Sequence, residues 1–400
     1  MGELCEVVAG STPKTSVPEY WDGDIPWITP DDLSRHRTKR IGKGARSLTQ
    51  AGYDSCSTRL VPEGSILYTT RAPIGYVAIA DRPVCTNQGF KNFVPPPTVD
   101  SSYLYWYLRH ATPEIREMGS GTTFIEVSKK VAQSIPVALP RLSEQRRIVE
   151  AIEEQFSRLD AAEESLMAVR ARLGLFRGST IENAFGTLAE TQRLGDLAAS
   201  VSDGPFGSNL KSSHYTDAGP RVIRLANIGE GVFVDEYAHI SAEHFATLGK
   251  YAVQAGDVVI ASLGSSALRS CVIPAEALPA IVKADCIRVR LPDTVDPRYV
   301  NFALQRPSLW QRTRSLIHGV GRPRLGIAAI RDLEIPVASF PQQQAVVERV
   351  DRDLSVVEEI DKDVVRTLDK SGALRQAVLA EAFSGRLVEE GSEPHEKVTA

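Results

Sequence analysis

Several short polar runs carry side chains suited to reading nucleic acid. Thr69-Thr-Arg-Ala-Pro-Ile-Gly75 leaves an extended stretch and sets two hydroxyls and a guanidinium at a turn. A guanidinium held there can take guanine edges bidentately or grip a phosphate, which makes Arg71 a candidate contact. Asn87-Gln-Gly-Phe-Lys91 clusters two amides with the ammonium of Lys91, and Gly119-Ser-Gly-Thr-Thr-Phe124 offers the hydroxyls of Thr122 and Thr123. In the second half, Gly204-Pro-Phe-Gly-Ser-Asn-Leu-Lys211 is a glycine-punctuated loop ending in Lys211. His318-Gly-Val-Gly-Arg-Pro-Arg324 contributes Arg322 and Arg324, and Arg224, Asn227, Arg269 and Lys283 complete that half's set. Arg35 and Arg37 lie in a basic run over 33–46 that holds no acid.

Catalytic chemistry is not visible in the sequence. There is no Walker loop, since Gly264-Ser-Ser-Ala-Leu-Arg-Ser270 lacks the lysine, and no GxGxxG after a strand or HExxH. The seven histidines are not at metal-ligand spacing, and Asp31-Asp32 and Asp22…Asp24 read as hydrated turns. The five cysteines (5, 56, 85, 271, 286) are scattered and form no CxxC, which fits a reducing cytoplasm and argues against a zinc ribbon. No run is apolar enough to suggest a membrane span or a secretion signal. The expectation is a chain with no catalytic residue, no metal and no cofactor of its own.

Charge is unevenly distributed. The net charge is −4, mildly against a polyanion ligand, but residues 143–170 and 348–370 are acidic, whereas 33–46 and 297–331 are basic and free of acids. Acidic helices beside basic module surfaces are what a local polyanion footprint would look like.

These loops sit on a repeated frame. Ile135-Pro-Val-Ala138 recurs as Ile335-Pro-Val-Ala338, each before a long helical pattern, and the helices end alike at Ala184-Phe185 and Ala382-Phe383. Gly2-Glu-Leu4 answers Gly195-Asp-Leu197, and Val99-Asp100…Tyr103 answers Val295-Asp296…Tyr299. So long a repeat is a duplicated domain plus helix rather than a solenoid. Short β-branched runs bounded by turn residues, with helices near 101–111 and 297–306, predict two similar α+β domains with mostly antiparallel or mixed sheets. The expected division is 1–140 and 191–340 for the globular domains, 141–190 and 341–390 for helical spacers, and 391–400 as a disordered tail.

The first helix carries a near-heptad series, Ile148, Ile152, Gln155, Leu159, Ala162, Leu166, Val169, Leu173, Phe176. The second reads Val346, Val350, Asp353, Val357, Ile360, Val364, Leu368, Leu374, Val378, with Gln155 and Asp353 matched in the two seams. Roughly 40 residues of helix span about 60 Å and cannot bury a seam against one compact domain. The expectation is an antiparallel coiled coil within the chain, with Ile148, Ile152, Leu159, Leu166, Leu173, Val350, Val357, Val364 and Leu374 at its interface. A parallel coiled coil between two copies is the alternative. The scaffold repeats while the polar loops differ, so two such readers would suit two unrelated half-sequences rather than a palindrome.

DGPFGSNLK (203–211), VQAGDVVIA (253–261) and IPVALPRLSEQRRIVEAI (135–152) together resemble the specificity subunits of type I DNA restriction–modification systems, over essentially the whole chain. The helix entry of that family, Pro-x-x-x-Glu-Gln-x-x-Ile-Val, is carried by Pro140, Glu144, Gln145, Ile148 and Val149. The resemblance implies two target-recognition domains, each reading one half of a split, asymmetric site on double-stranded DNA. It also implies an antiparallel helical bundle holding two methyltransferase subunits, with motor-nuclease restriction subunits completing the complex. S-adenosylmethionine would belong to the methyltransferase, which flips its adenine out, and ATP and Mg to the restriction subunit. Two departures stand out. Gln342 replaces the glutamate at the second helix entry, and the first domain starts abruptly at Met1-Gly-Glu-Leu4, where the expectation is either a missing short strand or a misplaced start. A DNA-processing enzyme, a coiled-coil protein adaptor and a partner of a methyltransferase without nuclease remain the competing readings.

Overall fold

The short β-branched runs pair into sheets in a computed structural model that describes residues 1–121, 125–263, 268–317 and 324–387, apart from the Ser208 side chain. The expected tail over 391–400 lies outside the described residues. The chain divides into two compact units, Met1–Ser165 with Thr367–Ala400, and Leu166–Arg366.

In the first unit the main sheet runs, in spatial order, Glu6–Ala9, Phe90–Val94, Ile66–Thr70, Ile74–Ala80 and Arg40–Ile41. The first three pairings are antiparallel and the last is parallel. A smaller sheet of Arg46–Leu48, Trp21–Ile28 and Cys85–Thr86 flanks it. The second unit repeats the plan: Ser200–Ser202, Cys286–Arg290, Val258–Ala261 and Ser270–Val272 form its antiparallel sheet. Its side sheet is His239–Ile240, Tyr215–Ile223 and Ala280–Val282, again with one antiparallel and one parallel pairing. The fold is α+β, with mixed sheets.

Each sheet is backed by the helix the sequence places after it. Ser101–Glu117 is capped by Asp100, whose carboxylate accepts from the amides of Ser102 and Tyr103, and it runs past the expected end near 111. Pro297–Leu304 is capped the same way by Asp296. Both helices present a tyrosine to the linker that leads into the long helices: Tyr103 donates to the Ala138 carbonyl at 2.6 Å and Tyr299 to that of Pro336 at 2.9 Å.

The long helices are Leu142–Ala184 and Phe340–Phe383. Each passes through both units, and within each unit the pair runs antiparallel. In the first unit Ile148, Ile152 and Phe156 share a core with Leu379 and Ala382, and Arg375 bonds Asp160 and Glu163 at 2.6 and 2.9 Å. In the second, Ile181 and Ala184 share a core with Val347, Val350 and Val357, while Arg170 meets Asp361 at 2.9 Å and Arg177 meets Glu358 at 3.5 Å. Leu159 and Leu173 pack on these cores, Leu166 is half-buried and Val364 is buried.

The seam differs from the one read off apolar spacing. Leu374 is 48% exposed and does not belong to the interface. Before and after it along the helix, Ser371 and Leu379 are the buried positions, and the Ser371 hydroxyl donates to Glu163. Asp353, Ile360, Ala162, Val169 and Phe176 are likewise exposed, and Leu354 takes the buried position next to Asp353. Charged residues one step along, Glu163, Arg170 and Arg177, make ion pairs to the other helix instead. Of the two polar residues matched in the seams, Gln155 is half-buried and Asp353 is exposed.

The second helix entry keeps its anchor despite Gln342. Gln145 accepts from the Asp100 amide at 2.8 Å and donates to the Pro140 carbonyl at 2.9 Å. Gln343 repeats both bonds, with the Asp296 amide and the Ala338 carbonyl, at the same distances. Gln342 itself accepts from the Ser339 amide and hydroxyl and so serves as a cap. At the chain start, the Met1 ammonium donates to the Ile135 carbonyl at 2.6 Å.

Candidate nucleic-acid interface

The polar loops gather at one end of each main sheet. In the first unit Arg71 follows the strand Ile66–Thr70 and bridges to Glu126, which also bridges to Ser120. Val127 donates to the Thr70 carbonyl at 3.0 Å, tying the root of the loop around 120–126 to the strand end. The turn Asn87–Gly89 closes from the other side: Gly89 donates to the Asn87 side chain at 2.9 Å, and the Thr70 amide and hydroxyl donate to the Gly89 carbonyl at 2.8 and 3.2 Å. Gly10 packs so tightly on this turn that a Cβ there would meet the Asn87 oxygen at 2.0 Å. Residues 10–12, 71, 87–89 and 119–121 therefore surround one loop surface.

The second unit builds the same surface. Leu263 bridges to Arg324, and Leu325 donates to the Ser262 carbonyl at 2.8 Å, the counterpart of the bond from Val127. Gly204 packs on Lys283 as Gly10 does on Asn87, with a Cβ-to-carbonyl-carbon approach of 2.2 Å. Asp203 holds this root by accepting from the Gly204 and Asp285 amides at 2.7 and 3.0 Å. Burial pushes the Asp203 carboxyl up, against those two amides, which favour its charged form. Asp285 pairs with Arg324, fixing that guanidinium at the loop edge.

The candidate residues separate into distinct roles. Arg35, Arg37 and Lys211 are exposed, with Arg35 in a loose helical pair with Asp31. Arg71 lies 4.0 Å from Glu126, and Lys283 sits 5.6 Å from the Tyr215 ring. Arg71 and Arg324 lie in the two loop surfaces just described. Arg224 is half-buried and pairs with Glu236 at 3.5 Å. Thr122, Thr123 and Arg322 lie outside the described residues.

Three candidates are corrected. Asn227 is 1% exposed, and its amide is consumed by the Arg224 amide and the Val234 and Glu236 carbonyls. It caps a turn, as Asp32 does behind Thr29, because a short polar side chain satisfies backbone groups that a turn leaves open. Arg269 donates to the carbonyls of Leu225, Ile228 and Leu263, so its guanidinium braces loops. Lys91 is buried beside Glu126 and Thr70, where burial pushes its ammonium down. The basic runs also disperse. Lys39 bonds Glu153, Arg46 stacks 3.5 Å over Trp21, and Arg298, Arg306 and Arg312 pair with Asp351, Glu182 and Glu334. Thr12, whose hydroxyl bonds the Gln88 side chain at the loop surface, was not among the candidates. Neither was Phe206. The shared close approach of Gly10 and Gly204 is the signal that aligns them.

Among the described residues no cluster of histidine, cysteine and carboxylates could hold a metal. The thiols of Cys5 and Cys85 are pushed up to about 11 by burial, and those of Cys271 and Cys286 to about 12, so all four stay protonated at neutral pH. Among these residues no helix is long and apolar enough to cross a membrane.

The chain is a duplicated α+β domain with divergent loops at matching strand ends, each copy packed on the two long helices. Residues 1–167 match the family model described as the type I restriction modification DNA specificity domain. It is 43% identical over 148 residues to the type I restriction enzyme MjaIX specificity subunit of Methanocaldococcus jannaschii, covering 36% of this chain and 34% of that one. To the EcoR124I/EcoR124II specificity subunit of Escherichia coli it is 28% identical over 163 residues, 38% of this chain and 39% of the relative. The chain thus spans little more than a third of the length of these two relatives. A longer match, 19% identical over 367 residues, joins it to the MjaVIII specificity subunit of Methanocaldococcus jannaschii, at 88% and 84% coverage. A solved chain from work on complex assembly and conformational transition of the type I R-M system superposes with a TM-score of 0.67 at 17% identity, covering 96% of both chains. That likeness is one of fold.

Proposed function

We propose that this chain is the DNA-recognition subunit of a type I restriction–modification complex and carries no catalytic site itself. The regions 1–140 and 191–340 are its two target-recognition domains, and 141–190 and 341–390 its helical spacers. Each domain reads one half of a bipartite, asymmetric site on double-stranded DNA through the loop surface at its sheet end. The observation that carries this reading is a frame conserved bond for bond beneath loops that differ. The amides of Val127 and Leu325 close on the same strand position in the two copies, yet the residues around them are Arg71 and Glu126 in one and Leu263 and Arg324 in the other.

The partners follow from the same division of labour. Two methyltransferase subunits dock on the long helices and bind S-adenosylmethionine. Restriction subunits join them and use ATP and Mg, and the assembly works in the cytoplasm. Leu175 (77% exposed), Phe176, Met167 and Val356 leave apolar surface on the helices that supports such docking.

The test is to co-express the chain with the methyltransferase encoded beside it and map methylated adenines across the host genome. The expected result is a split motif with a constant gap that shifts when the helical spacers are shortened. Methylation that is the same without this chain overturns the reading.

A further inference from the structure

The tip of the loop at the second unit's sheet end carries an aromatic ring. Gly204 and Pro205 are buried at the root, Leu210 is buried where the chain returns, and Phe206 stands between them 49% exposed. Gly207 follows at a φ of +58°, with open space where a Cβ would sit, and this left-handed residue turns the chain immediately beyond the ring. The Arg324 guanidinium lies 5.9 Å from the ring centre and is itself fixed by Asp285. The ring is therefore held on one side beside an oriented cation and open on the other.

The first unit shows what else can occupy this place. Pairing of Glu6–Ala9 with Phe90–Val94, and of Ser200–Ser202 with Cys286–Arg290, aligns Gly10 with Gly204 and Asn87 with Lys283. Two residues on, Thr12 falls where Phe206 is, and Gln88 falls where Ala284 is. The Thr12 hydroxyl donates to the Gln88 amide oxygen, so that pair is wholly polar. Phe206 and Ala284 are wholly apolar. One rigid loop root thus presents hydrogen-bonding groups in one unit and hydrocarbon in the other. In the DNA major groove the apolar feature that distinguishes base pairs is the thymine 5-methyl group, which phenylalanine can contact. A ring half-covered at its base suits contact with a groove edge. Insertion between base pairs requires a wedge that stands clear.

We propose that Phe206 reads a thymine 5-methyl group in the half-site bound by the second unit, while Thr12 and Gln88 fill the equivalent place with hydrogen bonds. The inference rests on the DNA-recognition reading above. The experiment uses the assembled methyltransferase complex and a duplex carrying the split motif that the methylation map returns, with each thymine of the second half-site replaced in turn by deoxyuracil. One replacement is expected to weaken wild-type binding about tenfold, within the range a single base contact provides. Phe206→Ala should weaken binding of the unmodified duplex by a similar factor and be insensitive to that replacement, while Phe206→Leu keeps part of the sensitivity. Sensitivity in the first half-site should be unchanged by either variant.

Specific binding by the wild type with no coupling between Phe206 and any thymine methyl overturns the inference and leaves the DNA-recognition reading intact. A fluorescence rise from 2-aminopurine at one step that disappears in Phe206→Ala also overturns it, in favour of insertion. Lower thermal stability of Phe206→Ala, with its thymine dependence intact, overturns it in favour of a ring that only shields the Asp285–Arg324 pair. Absence of specific binding by the wild-type complex strikes the DNA-recognition reading itself.

Discussion

The two units share their structural joints and differ in the side chains those joints present. In both, a buried glutamine pins the helix entry, a tyrosine hydroxyl holds the linker carbonyl, and a phenylalanine from the end of a long helix covers that tyrosine. The last of these pairs Tyr103 with Phe383 at 5.4 Å and Tyr299 with Phe185 at 5.1 Å. At the loop surfaces the correspondence is one of place only. The acid is Glu126, just before Val127, in the first unit and Asp285, beside Lys283, in the second, where the base Arg324 takes the place that Glu126 has in the first. Joints bury polar groups that tolerate no unpaired partner, so their chemistry is fixed. Exposed tips have water as an alternative partner and are free to change.

The largest effects should come from the aromatic covers, where the copies are not equal. Phe185 is 1% exposed, whereas Phe383 is only partly buried. Phe185→Ala should destabilise the second unit by about 3–5 kcal/mol, and Phe383→Ala the first by about half that, as read from thermal unfolding. Equal losses would show that the two covers do equivalent work.

The glutamine pins should sharpen the likeness. Gln145→Leu and Gln343→Leu each strand a buried amide N–H and a carbonyl, at a cost of about 1–3 kcal/mol apiece. Denaturation midpoints that fall by different amounts would mean that the second entry, with Gln342, is the weaker joint.

The loop residues should separate the units by specificity. Arg71→Ala and Arg324→Ala are each expected to cost about 1–3 kcal/mol of DNA binding and to relax one half of the methylated motif only. If either change relaxed both halves, assignment of one half-site to each unit would fail.

The smallest effect is a pH dependence confined to one unit. Burial alone would raise the Glu182 carboxyl, but hydrogen bonds from Arg306 and Ser308 outweigh it and hold the group below the usual carboxylate range. A carboxyl depressed in the folded state contributes stability above its unfolded pKa and loses it as pH falls through the folded value. The aligned position in the first unit is Ala380, so acid should loosen the second unit earlier through this group. Glu182→Gln should flatten that part of the stability–pH curve, which titration of the melting temperature would reveal.

The sequence carried the duplication, the α+β plan and the helix entries, because these rest on patterns that local physics enforces. Caps such as Asp100 and Asp296, turn-bounded β-branched runs, and the Glu-Gln before an apolar series all act within a few residues. The candidate site was legible at the level of loops and less so at the level of side chains. Asn227, Arg269 and Lys91 have the right types for DNA contact, but capping, bracing and burial claim the same donors. Nothing local to those residues distinguishes an amide that points to solvent from one closed on Val234 and Glu236.

By itself, then, the sequence determined that two similar domains alternate with two long helices and where the variable loops fall between conserved joints. The tertiary structure decided which face of each helix meets the other. The stripe through Val169 and Phe176 and the one through Arg170 and Arg177 have the same period, one residue apart. Apolar spacing favours the first, but the ion pairs with Asp361 and Glu358 and the position of Ser371 on the opposing helix select the second. Partners distant in sequence supply that choice, and likewise bring Thr12 to Gln88 and Phe206 to Arg324. A helical period repeats on any face, so only the neighbour across the gap can say which face is in use.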